Sequence, residues 1–176
     1  MSASLRPNPY ATRRDATTLT LQRLLPGTVE RVWAYLTDGE LRRRWLAAGA
    51  MNLTVGASFE FVWRNDEISS PGERPEGFGA EGRATCQITE LEPLRKLGFS
   101  WPGVGEVTFE LEPRGEEVLL TVIHRRVPDR TMALMVGPGW HMHLDILQAL
   151  CEGTKPASFW SGWLRLRAEY EQRLPA

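Results

Sequence analysis

The chain has 176 residues, of which 42% are hydrophobic and 24% charged, and its 21 basic and 22 acidic side chains leave a net charge of −1. This balance excludes the broad positive field of a nucleic-acid-binding domain, whose pI is usually above about 9. No apolar run reaches the roughly 18 residues of a membrane-spanning helix, so we expect no membrane span.

The N-terminal segment, residues 1–14, is polar and contains two prolines. It is predicted to be a flexible tail ahead of a single domain at 15–176. An Arg-Arg pair at 13–14 is followed by an aspartate rather than by an apolar segment, so no export signal is indicated and we expect a cytoplasmic protein. The two cysteines lie far apart in the chain, which favours reduced core thiols over a disulfide.

The first predicted elements are a strand and two helices. Residues 17–25 are rich in Thr and Leu, which favours a strand. Thr28 is a suitable N-cap for a helix whose apolar residues recur at helical spacing. A short second helix is expected at about 40–47. Its three arginines at 42–44 spread around the helix and favour a solvated face over a phosphate site.

Alternating apolar and polar residues then predict about five strands, of which 106–112 is the clearest. A Pro-Arg-Gly turn at 113–115 leads into the strand at 117–126, and turns of this length indicate an antiparallel sheet. Between two of the strands, residues 64–82 form a long polar segment, which we interpret as a mobile hairpin tip rather than a lid. Its Gly-x-Gly-x-x-Gly pattern at 77–82 has no preceding strand and no following helix, so it does not indicate dinucleotide binding.

The C-terminal part is helical. Apolar residues at helical spacing predict a long helix at about 138–152, with Gly153 as its C-cap, and a last helix that begins near Phe159. Because strands and helices are segregated along the chain, the fold class is α+β.

This order of elements resembles the START-like helix-grip superfamily, also called SRPBCC, and within it the bacterial family similar to the activator of a heat-shock-protein ATPase. The resemblance rests on PGTVERVWAYLTDGELRRRWLA at 26–47, VGASFEFVW at 55–63, EGRATCQITELEPLRKLGFSW at 81–101, VLLTVIHRRV at 118–127 and GPGWHMHLDILQAL at 137–150, and the closing FWSGWLRLRAEYEQRL at 159–174 is similar to a tail of members of that family. It implies a curved antiparallel sheet wrapped around a long C-terminal helix, with an elongated cavity between them.

Ten residues are the candidate lining of that cavity. Large aromatic residues on alternating strand positions, together with residues of the long helix, could form an apolar ligand pocket. The alternative is that they pack the core, as large aromatic residues on strands usually do. The candidates are Phe59, Phe61, Trp63, Trp101, Phe109, His124, Trp140, His143, Leu144 and Leu147.

The histidines are the polar candidates. His141 and His143 diverge by about 200° on a helix, which makes them a poor chelate, and zinc needs three or four ligands. We therefore expect no metal site; His143 should face the cavity and His141 should face water. His124 follows the inward parity of its strand. No nucleophile motif is present, so no catalytic residue and no cofactor are predicted.

The sequence favours a protein that binds a small hydrophobic or amphipathic ligand, lipid-like or aromatic, in an internal cavity. Two alternatives stay open. One is a cyclase- or hydrolase-like enzyme that uses His124 or His143. The other is a chaperone-associated or regulatory module that binds a protein partner through its surface.

Overall fold

The computed structural model describes residues 5–175. Within them the chain forms one seven-stranded antiparallel sheet and four α-helices, which confirms the α+β class. The strands are β1 (Thr12–Asp15), β2 (Thr18–Pro26), β3 (Ser58–Trp63), β4 (Gly82–Glu92), β5 (Lys96–Trp101), β6 (Gly105–Arg114) and β7 (Glu117–Arg125). The helices are α1 (Val29–Thr37), α2 (Gly39–Arg42), α3 (Arg130–Glu152) and α4 (Phe159–Arg173), and a short 3-10 helix spans Asn65–Ile68.

The strands follow the order β1-β2-β7-β6-β5-β4-β3. Because β4 is antiparallel to both β3 and β5, β3 and β5 run in the same direction and finish at the same end of the sheet. The long helix α3 buries a continuous face, and two of the residues on it, Leu144 and Leu147, are fully shielded from solvent. Among residues 5–175, none of the helices combines the length and the apolar character that crossing a bilayer requires.

Helix α3 begins at Arg130, eight residues before the predicted start. The side chain of Asp129 accepts a hydrogen bond from the backbone N–H of Met132 at 2.8 Å and so caps the helix. Pro138 lies inside the helix rather than at its first turn. The predicted C-cap is confirmed, since Gly153 has a left-handed backbone with φ of 73°.

The prediction that the arginine run is solvated is wrong for Arg42. Helix α2 ends at this residue, and the chain turns back so that several carbonyl groups surround the guanidinium. Arg42 is fully buried and donates to the carbonyl oxygens of Ala47 at 3.1 Å, Leu36 at 3.2 Å and Gly49. Burial lowers its pKa to about 10, so it stays charged at neutral pH and ties this turn together.

Part of the segment predicted as a flexible tail is ordered. Thr12–Asp15 form β1, and the backbone N–H of Ala11 donates to the hydroxyl of Tyr170 at 2.6 Å. The tail prediction for residues 1–4 falls outside the described residues. The same hydroxyl lies 2.9 Å from Nδ1 of His141, which is buried rather than solvated, because α4 and the N-terminal segment cover this face of α3.

Candidate functional site

A pocket of about 300 Å³ with an almost entirely apolar lining lies between the sheet, α3 and α4. This volume is at the lower end of the roughly 300–1,000 Å³ that is usual for small-molecule sites. The lining residues are Leu46, Trp63, Asn65, Phe78, Gly82, Trp101, Met135, Val136, Gly139, Trp140, His143, Phe159, Trp160 and Trp163.

The sheet contributes a pair of stacked tryptophans. Trp63 is the last residue of β3 and Trp101 is the last residue of β5. Because these strands run in the same direction, both residues lie at the same end of the sheet. Their ring centroids are 5.1 Å apart and their planes differ by 19°. Both rings are half-buried and border the pocket.

His124 lies behind the tryptophan pair and supports it. Its ring stacks on Trp101 at 5.7 Å, its Nδ1 accepts from the indole N–H of Trp140 at 3.0 Å, and its Nε2 donates to the carbonyl of Val104 at 3.0 Å. Burial lowers its pKa to about 4, so the ring is neutral at pH 7. Since both nitrogens are hydrogen-bonded, His124 orients Trp140 and has no free nitrogen for a ligand.

Helix α3 contributes a wall with a gap in it. Gly139 lies between Pro138 and Trp140, and a Cβ atom built there would meet no other atom within 4 Å. A glycine in a helix interior is less stable than alanine by about 0.5–1 kcal/mol. The space beside Gly139 is therefore kept open by the residue type at this position.

His143 is the polar group on the α3 wall. Its ring stacks on Phe159 with centroids 4.3 Å apart, and its Nδ1 is 2.6 Å from the carbonyl oxygen of Trp45. Since a carbonyl only accepts, Nδ1 carries the proton. Burial lowers the pKa of His143 to about 4, so the ring is neutral and Nε2 holds a lone pair.

Helix α4 and the segment between β3 and β4 complete the enclosure. Phe78 packs against Trp160 at 5.1 Å and Trp163 at 5.3 Å. The segment is attached to α4 by Asp66, which accepts from the indole N–H of Trp160 at 2.9 Å, and by Ser69, which accepts from its backbone N–H at 3.0 Å. Residues 64–82, predicted as a mobile hairpin tip, therefore contribute directly to the wall of the pocket.

Asn65 brings a second polar side chain to the lining. It begins the 3-10 helix, and its backbone carbonyl accepts from the hydroxyl of Ser69 at 2.7 Å. Its Oδ1 is buried without a hydrogen-bond partner among the described residues. The side-chain amide thus stands beside an apolar hollow with its hydrogen-bonding capacity unused.

Of the ten candidate residues, Trp63, Trp101, Trp140 and His143 line the pocket. The other six lie in the packed interior, because the deeper part of the curved sheet is filled by interlocking rings. These are Phe59, Phe61, Phe109, His124, Leu144 and Leu147, each at most 5% exposed. Sequence reasoning missed the walls from α4 and from residues 64–82, although the aromatic spacing of the last helix had marked one of its faces as apolar.

The lining offers binding surface rather than an assembled reactive group. The polar groups in it without a hydrogen bond to residues 5–175 are the amide of Asn65, Nε2 of His143 and the indole N–H groups of Trp63 and Trp101, and it contains no serine, cysteine or carboxylate. Within residues 5–175, no three His, Cys, Asp or Glu side chains gather closely enough to hold a metal ion.

Comparison with known proteins shows the family to which this chain belongs. The family model for activator of Hsp90 ATPase homolog 1-like proteins matches residues 26–152. None of the curated proteins compared with the chain matched it.

Three solved structures show how far the similarity extends. A Bordetella parapertussis protein solved by NMR is 36% identical over 98% of this chain and 94% of its own, with a TM-score of 0.80. Crystalline CalU16 from Micromonospora echinospora is 25% identical over 89% and 87%, with a TM-score of 0.64. The Aha1 dimer from Colwellia psychrerythraea is 17% identical over 77% and 96%, with a TM-score of 0.58, which shows a shared fold. The chain therefore belongs to the activator of Hsp90 ATPase homolog 1-like family, with the helix-grip fold that its sequence indicated.

Proposed function

We propose that this protein binds a small, flat, hydrophobic molecule in the pocket between the tryptophan pair, α3 and α4. The observation that carries the proposal is a pocket of about 300 Å³, open to solvent on one side, whose lining is almost entirely apolar and largely aromatic. An apolar hollow of this size is the usual form of a small-molecule site.

The shape of the walls supports a planar ligand. Trp63 and Trp101 of the sheet and three aromatic rings of α4 line the same pocket. Aromatic groups gain from offset-stacked and edge-to-face contacts beyond the area they bury. A fused-ring or conjugated molecule fits such walls better than a branched aliphatic one.

The size of the pocket limits the affinity that apolar contact alone can supply. A ligand that buries about 200 Å² of apolar surface gains roughly 5 kcal/mol at about 25 cal/mol per Å². That corresponds to a Kd between about 0.1 and 1 mM before the cost of immobilising the ligand is subtracted. Tighter binding needs the polar side chains of the lining.

The contacts of the histidines bear on the enzyme alternative. His124 has both nitrogens in hydrogen bonds within the protein, and the pKa of His143 near 4 makes it a weak base at neutral pH. General bases work best when their pKa is near the operating pH. These observations support binding over cyclase or hydrolase chemistry.

A substitution that fills the hollow tests the proposal. Gly139→Leu places a side chain in the open space, whereas the matched control Thr131→Leu adds the same side chain to an exposed position of α3. We expect naphthalene to quench the tryptophan fluorescence of the wild type and of Thr131→Leu. Gly139→Leu should bind naphthalene at least about tenfold more weakly, a loss of about 1.4 kcal/mol.

Equal quenching of the filled variant, or no quenching of the wild type, would contradict the proposal. Native mass spectrometry of the freshly purified protein provides a second readout, since a co-purified small molecule should be present in the wild type and lost in Gly139→Leu. The protein-interaction alternative predicts the opposite result, in which a protein partner is captured equally by the filled variant.

A further inference from the structure

We infer that the ligand is an aromatic compound that carries a hydrogen-bond donor, a hydroxyl or an N–H group, which it gives to Nε2 of His143. This inference rests on the proposed function and names the chemical class that the pocket selects. It is carried by the fixed acceptor on His143, which makes no hydrogen bond within the described residues.

The acceptor on His143 is fixed in place and unused. The Nδ1 proton is committed to the carbonyl of Trp45, and the ring is clamped by stacking on Phe159. Nε2 makes no hydrogen bond with any residue in 5–175, and it is not among the buried atoms of that range that lack a partner. It is therefore accessible, and the accessible space that His143 borders is the pocket.

Donors on the helical walls are, by contrast, already used. The indole N–H of Trp140 donates to His124, that of Trp160 donates to Asp66, and that of Trp163 donates to the carbonyl of Met135 at 3.3 Å. These three groups offer a ligand only their ring surfaces.

The amide of Asn65 can accommodate such a ligand, because it carries both an acceptor oxygen and an NH2 donor. Its Oδ1 is buried and unpartnered, and an unsatisfied buried acceptor is costly to leave without a donor. Because the amide makes no side-chain hydrogen bond to the described residues, it is free to turn toward a bound molecule. A carboxylate ligand, which only accepts, would face the lone pair of Nε2 unfavourably.

A matched ligand pair tests this inference without altering the protein. The probes 2-naphthol and 2-methoxynaphthalene share the fused ring, but only the first has a donor. Titration calorimetry of the wild type should give about tenfold tighter binding of 2-naphthol, which is the typical worth of one hydrogen bond in a water-excluded site. Equal affinities would overturn the inference while leaving the proposed function intact, whereas no binding of either compound would overturn both.

Two variants test whether His143 is the residue that accepts the hydrogen bond from the ligand. His143→Asn keeps an amide N–H in place of Nδ1 for the carbonyl of Trp45 but removes the Nε2 acceptor, so the preference for 2-naphthol should fall to about onefold to twofold. Met135→Leu changes the pocket wall without removing an acceptor and should keep the preference. A preference that survives in His143→Asn and disappears in Asn65→Leu would show that the assignment to His143 is wrong.

Discussion

Along β3 and β5, the inward-facing residues pass from a solid core to a hollow within two positions. Phe61 and Phe99 are fully buried, and their ring centroids lie 5.3 Å apart in an edge-to-face contact. The next inward residues, Trp63 and Trp101, are half-buried and border the pocket. Both strands end at these tryptophans, and the elements that cover the two pairs of rings also differ.

The covering elements explain the contrast. Over Phe61, the guanidinium of Arg42 lies 5.1 Å from the ring centroid and closes the space. Over the tryptophan pair, α3 presents Gly139, which has no side chain to fill the gap. The packed region is thus covered by a charged side chain, whereas the pocket borders a helix position without a side chain.

The largest expected effect is a difference in stability between the two regions. Phe61→Ala should lower the free energy of unfolding by about 3–5 kcal/mol, because it leaves a cavity in a close-packed cluster. Trp63→Ala should cost less than half of that, since its ring already borders open space, but should abolish naphthalene binding. Urea unfolding and fluorescence titration measure the two quantities. Equal losses of stability would remove the distinction between core and pocket.

A second prediction concerns the closed polar cluster formed by Tyr170, His141 and the N–H of Ala11. Tyr170→Phe should lower the free energy of unfolding by about 1–3 kcal/mol, because two buried groups lose their partner. Tyr35→Phe is the control, since no hydrogen bond to the Tyr35 hydroxyl is found within residues 5–175, and it should change stability by less than about 0.5 kcal/mol. A harmless Tyr170→Phe would show that the cluster contributes nothing to the fold.

The pH dependence of stability tests two buried histidines, His141 in the polar cluster and His143 in the pocket wall. Burial lowers the pKa of both His141 and His143 from 6.5 to about 4. The unfolded chain therefore takes up protons between these values while the folded chain does not, so stability is fully present above pH 6.5 and is lost as the pH falls. Each histidine contributes about 1.4 kcal/mol per pH unit within that range.

Urea unfolding at about pH 7, 6 and 5 should show this loss for the wild type and a slope shallower by about 1.4 kcal/mol per pH unit for His141→Asn. The same slope in both proteins would mean that His141 is not held neutral by the fold.

The last prediction concerns the free energy of unfolding, which should change in opposite directions when two glycines are replaced by alanine. Gly139→Ala should raise the free energy of unfolding by about 0.5–1 kcal/mol, because a methyl group enters open space and the helix gains from alanine. In Gly162→Ala the new Cβ would clash with the buried Sδ of Met142, and such overpacking costs about 1–3 kcal/mol. Thermal unfolding of both variants measures the difference. Destabilisation by Gly139→Ala would indicate that the space is not open.

Much of the fold could be predicted from the sequence because its signals are local. Alternation along β6 and the N-cap at Thr28 depend on neighbouring residues, and both appear where they were expected. The start of α3 was missed because the apolar spacing used to predict it began near residue 138, whereas the helix begins at the Asp129 cap and contains Pro138 in its interior.

The candidate site was less predictable because its boundaries depend on long-range packing. Phe61 and Trp63 share the same strand parity and the same apolar character, and the sequence does not show that Arg42 covers the first ring whereas the second borders a pocket beside α3. Arg42 was misplaced for the same reason, since its carbonyl partners become a cluster only when the chain turns back after α2. The hydrophobic pattern predicts which residues are buried. The position of the pocket depends instead on where the elements that cover the sheet leave space.

The wall supplied by α4 has a consequence for biosynthesis. This helix follows all other elements in the chain and lies beyond the residues matched by the family model. During translation, β3 and β5 leave the ribosome before α4 does, because α4 is the last element made. A nascent chain at that stage displays Trp63 and Trp101 to water, and exposed aromatic surface of this kind promotes aggregation. Timely arrival of the final helix thus protects the molecule during its own synthesis.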